Sequence, residues 1–146
     1  MPQVDIHPVK NQQELEEMFY QRWLVLRSPL GMEIGSERDS HEDDALHLIA
    51  MCDRKIIASA RLRELSPKLG SISYVAVLPE FQNRGIGTKL IENLIAKSQE
   101  KNLKTVRLLS RINAIKFYHK LGFSEQDKPF DFLGIPHIFM QLDIQP

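Results

Sequence analysis

Apolar positions in this chain recur with two periods, and the places where one gives way to the other mark its elements. Val4 to Ile6 reads as a short strand. Asn11 followed three residues later by Glu14 is a helix-opening pair, since the Asn side chain can accept from the amide three positions on. Leu15, Met18, Phe19 and Leu26 then fall near helical spacing, and Ser28-Pro29-Leu30-Gly31 stops that helix just past Arg27. From Glu33 to Asp44 there is no apolar period, and Glu33, Glu37, Asp39, Glu42, Asp43 and Asp44 stand against Arg38. That composition predicts a solvated loop.

Ala45 to Cys52 and Ile56 to Arg63 are Leu-, Ile- and Ala-rich runs separated only by Asp53-Arg54-Lys55, the spacing of a hairpin. Ser71 to Leu78 is a third run, reached through a loop containing Pro67 and Gly70. After Pro79 the period lengthens: Ile86, Leu90, Ile91, Leu94 and Ile95 share one helical face, with Lys89, Glu92, Asn93 and Lys97 on the other. Thr105 to Ser110 reads as a strand. Asn113 is placed to cap a second helix, in which Ala114, Phe117, Tyr118 and Leu121 share a face before Gly122 ends it. Phe123 and Ile138 to Ile144 are the final strand candidates. With no repeats or linkers, the pattern predicts one α+β domain over residues 1–146, with a strand–loop–helix unit at its centre.

Composition narrows the function classes. The 19 Lys+Arg balance 19 Asp+Glu, which argues against a large footprint for nucleic acid or an anionic membrane. The single Cys52 excludes an internal disulfide and fits a reducing compartment, and its place in a strand reads as a buried thiol. Met1-Pro2-Gln3-Val4-Asp5 has neither a basic start nor an apolar stretch, and no apolar run reaches membrane-spanning length. A cytoplasmic protein is expected.

The stretch from Val75 to Leu90, Val-Ala-Val-Leu-Pro-Glu-Phe-Gln-Asn-Arg-Gly-Ile-Gly-Thr-Lys-Leu, carries the strongest chemical signal. A strand ends and Gly85 and Gly87 flank Ile86 where the most amphipathic helix begins. Glycine lets a backbone approach a ligand, and the first turn of a helix offers unpaired N–H groups at the positive end of its dipole, an arrangement suited to phosphate. Two common phosphate motifs fail. A dinucleotide fingerprint needs glycine where Leu90 stands, and a P-loop needs Gly-Lys-Ser/Thr rather than Gly87-Thr88-Lys89.

The whole string Val-Ala-Val-x-Pro-x-x-Gln-x-x-Gly-x-Gly resembles the coenzyme A signature of the GCN5-related N-acetyltransferases (GNAT). Asn113-Ala114-Ile115-Lys116-Phe117-Tyr118-His119-Lys120-Leu121-Gly122-Phe123 resembles that family's second motif, and Gly134-Ile135-Pro136-His137-Ile138-Phe139-Met140 an ending found in one of its branches. The resemblance implies the GNAT fold, a central mixed, mostly antiparallel twisted sheet flanked by helices. It implies acetyl-CoA as cosubstrate, no metal, and an N-acetyltransferase acting on a primary amine of a small molecule or peptide. It also implies a loop of Gln82, Asn83, Arg84, Gly85, Ile86, Gly87 and Thr88 on the pyrophosphate. Backbone groups near Val75 and Val77 would lie on the pantetheine and thioester, with Asn113 as a further cofactor contact and Tyr118 as the acid that protonates the departing thiolate.

The general base is not fixed by the motifs. Glu80 is ordinary in the family's loop and is set aside. Glu33, His41, His47, Tyr74 and His137 remain, of which His137 lies on a strand that could border the acceptor and titrates in the useful range. Ser73 and Tyr74 stand where many relatives have a carboxylate, so water-relayed deprotonation is an alternative. Direct attack in a ternary complex is expected, because Cys52 has no visible activation. A non-catalytic CoA-binding module is the rival reading, and a homodimer is left open.

Charge is unevenly distributed. Between Gln82 and Lys120 nine basic residues face two acidic ones, a surplus of seven. The acidic run from Glu33 to Asp44 lies where the first helix and its loop would wall the acceptor site, which predicts a preference for a cationic amine, with Asp43 and Asp44 as its markers.

Overall fold

The computed structural model describes residues 3–144. Its centre is a seven-stranded sheet, built from β1 (Asp5–Pro8), β2 (Leu46–Cys52), β3 (Lys55–Ser66), β4 (Leu69–Val77), β5 (Thr105–Arg111), β6 (Ser124–Phe132) and β7 (Ile135–Asp143). The strand order is β1-β2-β3-β4-β5-β7-β6. Every pair is antiparallel except β4/β5. That one parallel pair follows from connectivity, because the chain leaves β4, crosses in helix α2 (Ile86–Glu100) and returns in β5. The mixed, mostly antiparallel sheet expected from the motifs is present.

Helix α1 (Gln12–Leu26) opens as the sequence predicts. Asn11 Oδ1 accepts from the amide of Glu14 at 2.9 Å, while Glu14 Oε1 takes the amide of Lys10 rather than that of Asn11. Helix α2 buries Ile86, Leu90, Ile91 and Leu94 against the sheet, each worth about 1.5–3 kcal/mol of apolar burial. Ile95 is only partly covered. The α2 face of the sheet, with Ala60, Leu62, Ile72, Val106, Leu108 and Met140, is the main core. On the opposite face α1 packs over β3 and β4.

Four local expectations change. Gly70 lies within β4, so only Pro67 and Lys68 separate β3 from β4. Asn113 does not cap a helix. It sits in a short 3-10 turn (Ile112–Ala114), and α3 (Ile115–Lys120) begins after Ala114 without a side-chain cap. The strand expected around Phe123 is instead β6, nine exposed residues paired only with β7, whose lack of a buried face leaves no apolar period to read. Most of the acidic stretch is exposed as expected, but part of it folds inward. Glu37 is 1% exposed, and its main-chain carbonyl accepts from Arg22 at 3.1 Å.

Among the described residues no helix is long and apolar enough to cross a membrane. Cys52 is buried in β2, as its strand position predicted.

Candidate active site

The site begins where β4 and β5 part. They pair only from Leu69/Thr105 to Ile72/Leu108. Beyond that point β4 carries a bulge: Arg61 pairs with Ser73 and Ser59 with Ala76, so Tyr74 and Val75 together oppose Ala60. Tyr74 takes up the extra residue with a left-handed backbone (φ 54°). A bulge bends its strand and frees main-chain groups. The result is a cavity of about 440 Å³ on the α1 side of the sheet, lined by β3, β4, β5 and β7 together with α1 and α3.

Past β4 a 3-10 turn (Pro79–Phe81) leads to the loop that starts α2. Asn83 and Gly85 both have positive φ, 62° and 81°, and the helix begins at Ile86 with no side-chain cap. A non-glycine residue at Gly85 would pay about 1–2 kcal/mol for that conformation. Lys89 N–H is the first amide bonded back into the helix, to the Gly85 carbonyl at 3.1 Å. The amides of Ile86, Gly87 and Thr88 therefore precede the helical ladder and are free for an anion. At Gly87 an added Cβ would lie 3.4 Å from Phe117 Cζ and 3.8 Å from Val77 Cγ2, so this glycine lets α2 approach α3 and β4. Arg84 is exposed with its guanidinium 5.4 Å from the Phe81 ring. Gln82 Nε2 donates to the Val77 carbonyl at 2.9 Å. Asn113 is exposed and makes no side-chain hydrogen bond among the described residues. Val75 lines the cavity; Val77 does not.

Tyr118, on α3, also lines the cavity and is 7% exposed, held edge-on against Phe117 and Phe123 with ring centroids at 4.9 and 5.9 Å. Burial pushes its phenol up to about 12, so it keeps its proton at every working pH. Of the five base candidates, Tyr74 and His137 reach the cavity wall. Burial raises the Tyr74 phenol, which opposes its use as a base. His137 Nδ1 lies 2.7 Å from the Ile135 carbonyl oxygen. A carbonyl can only accept, so Nδ1 carries the proton and Nε2 keeps the lone pair. His47 lies elsewhere, donating to the Glu42 carbonyl and lining a separate hollow beside β1.

Sequence reasoning missed the polar layer under α1. Arg61 clamps Asp39 through two bonds of 2.7 and 2.9 Å, and its Nε donates to Ser73 Oγ at 3.0 Å. Arg22, fully buried, bonds Glu42 at 3.0 Å and lies over the Tyr74 ring at 4.1 Å. Gln21 donates to the Ala76 carbonyl at 3.1 Å and accepts from Ser59 Oγ at 2.6 Å. The only trace of this in the sequence is polar residues at α1 and β3 positions that otherwise read as core.

This layer also corrects the expected acidic wall. Asp39 and Glu42 serve buried arginines, and Asp43 and Asp44 do not line the main cavity. The Arg61 guanidinium holds the Asp39 carboxyl down at about 2. A carboxyl lowered on folding adds stability that is complete above its unfolded pKa of 3.8 and is lost as pH falls toward 2. Asp39→Asn should therefore give a flatter melting-temperature profile across that window, followed by circular dichroism. An unchanged acid slope would assign the loss to other groups.

Comparison with known proteins places this geometry. The Acetyltransferase (GNAT) family model matches residues 10–123. The uncharacterized N-acetyltransferase YjcF of Bacillus subtilis (strain 168) is 25% identical over 135 residues, covering 92% of this chain and 96% of the relative. Escherichia coli ElaA superposes with a TM-score of 0.85 at 18% identity, over 98% of this chain and all of the other. A GNAT family acetyltransferase from Elizabethkingia anophelis with acetyl-CoA bound superposes with a TM-score of 0.71 at 19% identity, over 96% and 97% of the two chains. The signature loop, the parted strands and the match across most of the sequence agree, and the chain belongs to the GNAT acetyltransferase family.

Proposed function

We propose that the protein transfers the acetyl group of acetyl-CoA to a primary amine by direct attack in a ternary complex. The observation that carries this reading is the alignment of three features: the uncapped start of α2, the gap between β4 and β5, and Tyr118 in the wall of the cavity beyond. The donor set fits the cosubstrate. The amides of Ile86, Gly87 and Thr88 would receive the pyrophosphate, with Gln82, Asn83, Arg84 and the cleared backbone of Gly85 around it. Asn113 would meet the pantetheine or adenosine side. The Val75 backbone, unpaired at the bulge, would orient the thioester carbonyl. The Val77 carbonyl would serve the pantetheine only once Gln82 releases it.

In the transfer, His137 Nε2 takes a proton from the acceptor ammonium and passes it to solvent. The freed nitrogen forms a bond to the acetyl carbonyl carbon, and the carbon–sulfur bond breaks. Tyr118 O–H gives its proton to the departing sulfur and is restored by the second proton the nitrogen loses. The products are the acetamide and CoA thiol. A mixture of the protein, acetyl-CoA and a panel of amines should release free thiol with at least one acceptor, and that acceptor should gain an acetyl group by mass. Thermal stabilisation by CoA with no thiol release from any amine would overturn catalysis and leave a CoA-binding module.

A further inference from the structure

The acceptor cavity is basic. Arg27, Arg61, Arg63, Arg107 and Arg111 line it, against Asp39 as its one carboxylate. Arg61 and Asp39 neutralise each other. Arg27 spends its guanidinium on the carbonyls of Leu26 and Ser36, which are neutral. Arg107 and Arg111 make no ion pair among the described residues, and the nearest carboxylate to Arg63, that of exposed Asp44, stays 3.9 Å away. Arg63 Nε is buried and lacks a hydrogen-bond partner. Such an atom normally has one, and with Asp44 too distant to accept its proton, Arg63 Nε remains an available donor.

The register places these groups. Arg63 pairs with Ser71, Ser71 with Arg107, and Arg107 with Gln141, so the four form one row across β3, β4, β5 and β7. Residues in register share a face of the sheet, here the cavity side, opposite the core positions Leu62, Ile72, Val106 and Met140. Arg63 and Arg107 thus flank Ser71 from both sides, with backbones about 10 Å apart, two strand spacings. Arg111 lies further along β5 on the same face, beside His137 in the register. The Arg63 guanidinium leans toward Asp44 and that of Arg107 lies 5.8 Å from the Phe139 ring, so both long arms would swing inward to meet one group above Ser71, whose hydroxyl adds a donor. Arginine forks match the oxygens of carboxylate and phosphate.

We infer that the amine acceptor carries a carboxylate or phosphate group, held by Arg63 and Arg107 across Ser71, and that this anion selects the substrate. The inference rests on the acetyl-transfer reading and gives that reading its acceptor class. Val75 lies four positions beyond Ser71, about 13 Å at the rise of a strand. The anion therefore sits well away from the reacting nitrogen, in an extended acceptor. A simple cationic amine has no counterpart for this row, which replaces the cationic preference expected from the acidic loop.

The test uses matched acceptors: dipeptides and aminoalkanoic acids of increasing length against their amides, and amino sugars and amino alcohols against their phosphate esters. The anionic members should show kcat/KM at least 10-fold higher, and the two sets tell carboxylate from phosphate. Arg63→Gln and Arg107→Gln should each bring that ratio down about 10-fold, mainly through KM, while melting temperature and acetyl-CoA KM report that fold and cofactor site are intact. Arg107→Lys should recover part of it. A ratio near one in the wild type, or one the variants leave unchanged, would overturn the inference. If no amine turns over, acetyl transfer fails as a reading. The same pairs titrated into the CoA-loaded protein by calorimetry still decide this one, since equal binding of charged and neutral members, or binding indifferent to Arg63→Gln, would refute it.

Discussion

Replacing Tyr118 by phenylalanine is expected to lower kcat about 10²- to 10⁴-fold, the usual contribution of a positioned general acid, with acetyl-CoA affinity changed less than about threefold. The expectation comes from the environment of the ring. Phe117 and Phe123 fix it edge-on, so removing the hydroxyl deletes one oxygen without opening a cavity. A phenol raised to about 12 is a poor acid in water. Beside a departing thiolate in the same buried site, burial also raises the proton affinity of the sulfur, which brings the two groups closer. Steady-state kinetics with saturating acceptor, beside a CoA titration, separate the two effects. A Tyr118→Phe enzyme with wild-type kcat would remove the phenol from the reaction and leave Tyr118 as part of the packing around Phe117.

The largest structural effect should follow Arg22→Ala. Arg22 is completely buried yet contacts the Glu37 carbonyl, the Glu42 carboxylate and the face of Tyr74, so it ties α1 to the acidic loop and to the β4 bulge at once. Truncation empties a fully buried site and takes one of two guanidinium partners from Glu42, which keeps Arg61 at 3.2 Å, so the cost lies toward the low end of the about 3–5 kcal/mol typical of breaking a buried pair from one side. For a chain of this length that is a fall in melting temperature on the order of 10 °C. The loop carrying Asp39 should loosen as well, raising acceptor KM before the protein unfolds. Arg22→Lys keeps the charge but loses the fork and the stacking, and should fall between. An Arg22→Ala protein that melts within about 2 °C of wild type would show that the layer under α1 is not a unit of stability.

Much of this molecule is legible in one dimension. The α2 face of Ile86, Leu90, Ile91 and Leu94 repeats at helical spacing, and the hairpin of β2 and β3 is signalled by two apolar runs around a three-residue turn. The loop proposed to hold the cofactor is legible for a related reason. Its chemistry lies in main-chain amides, glycine conformation and a helix start, all of which are local, so a contiguous string can carry them. The proposed acceptor side is built differently. Arg63, Ser71 and Arg107 come from three strands, and nothing in their sequence separation reveals that register puts them in one row.

Local composition was even misleading where charge was concerned. Six acidic residues in a run of twelve predict a solvated wall; Glu33, Asp43 and Asp44 do face water, but Glu37 turns inward and Asp39 and Glu42 are taken by buried guanidinium groups. The same opacity affects β6, an exposed edge strand without a buried face to set a period. By itself, then, the sequence determined the family, the order of nearly all the elements and the loop proposed for the cofactor, because these rest on contiguous residues and short-range geometry. Only the tertiary structure decided which acids are spent inside, which arginines are left facing the cavity and which histidine lines it. Those outcomes depend on the register of distant strands and on the cost of leaving a buried charge unpaired.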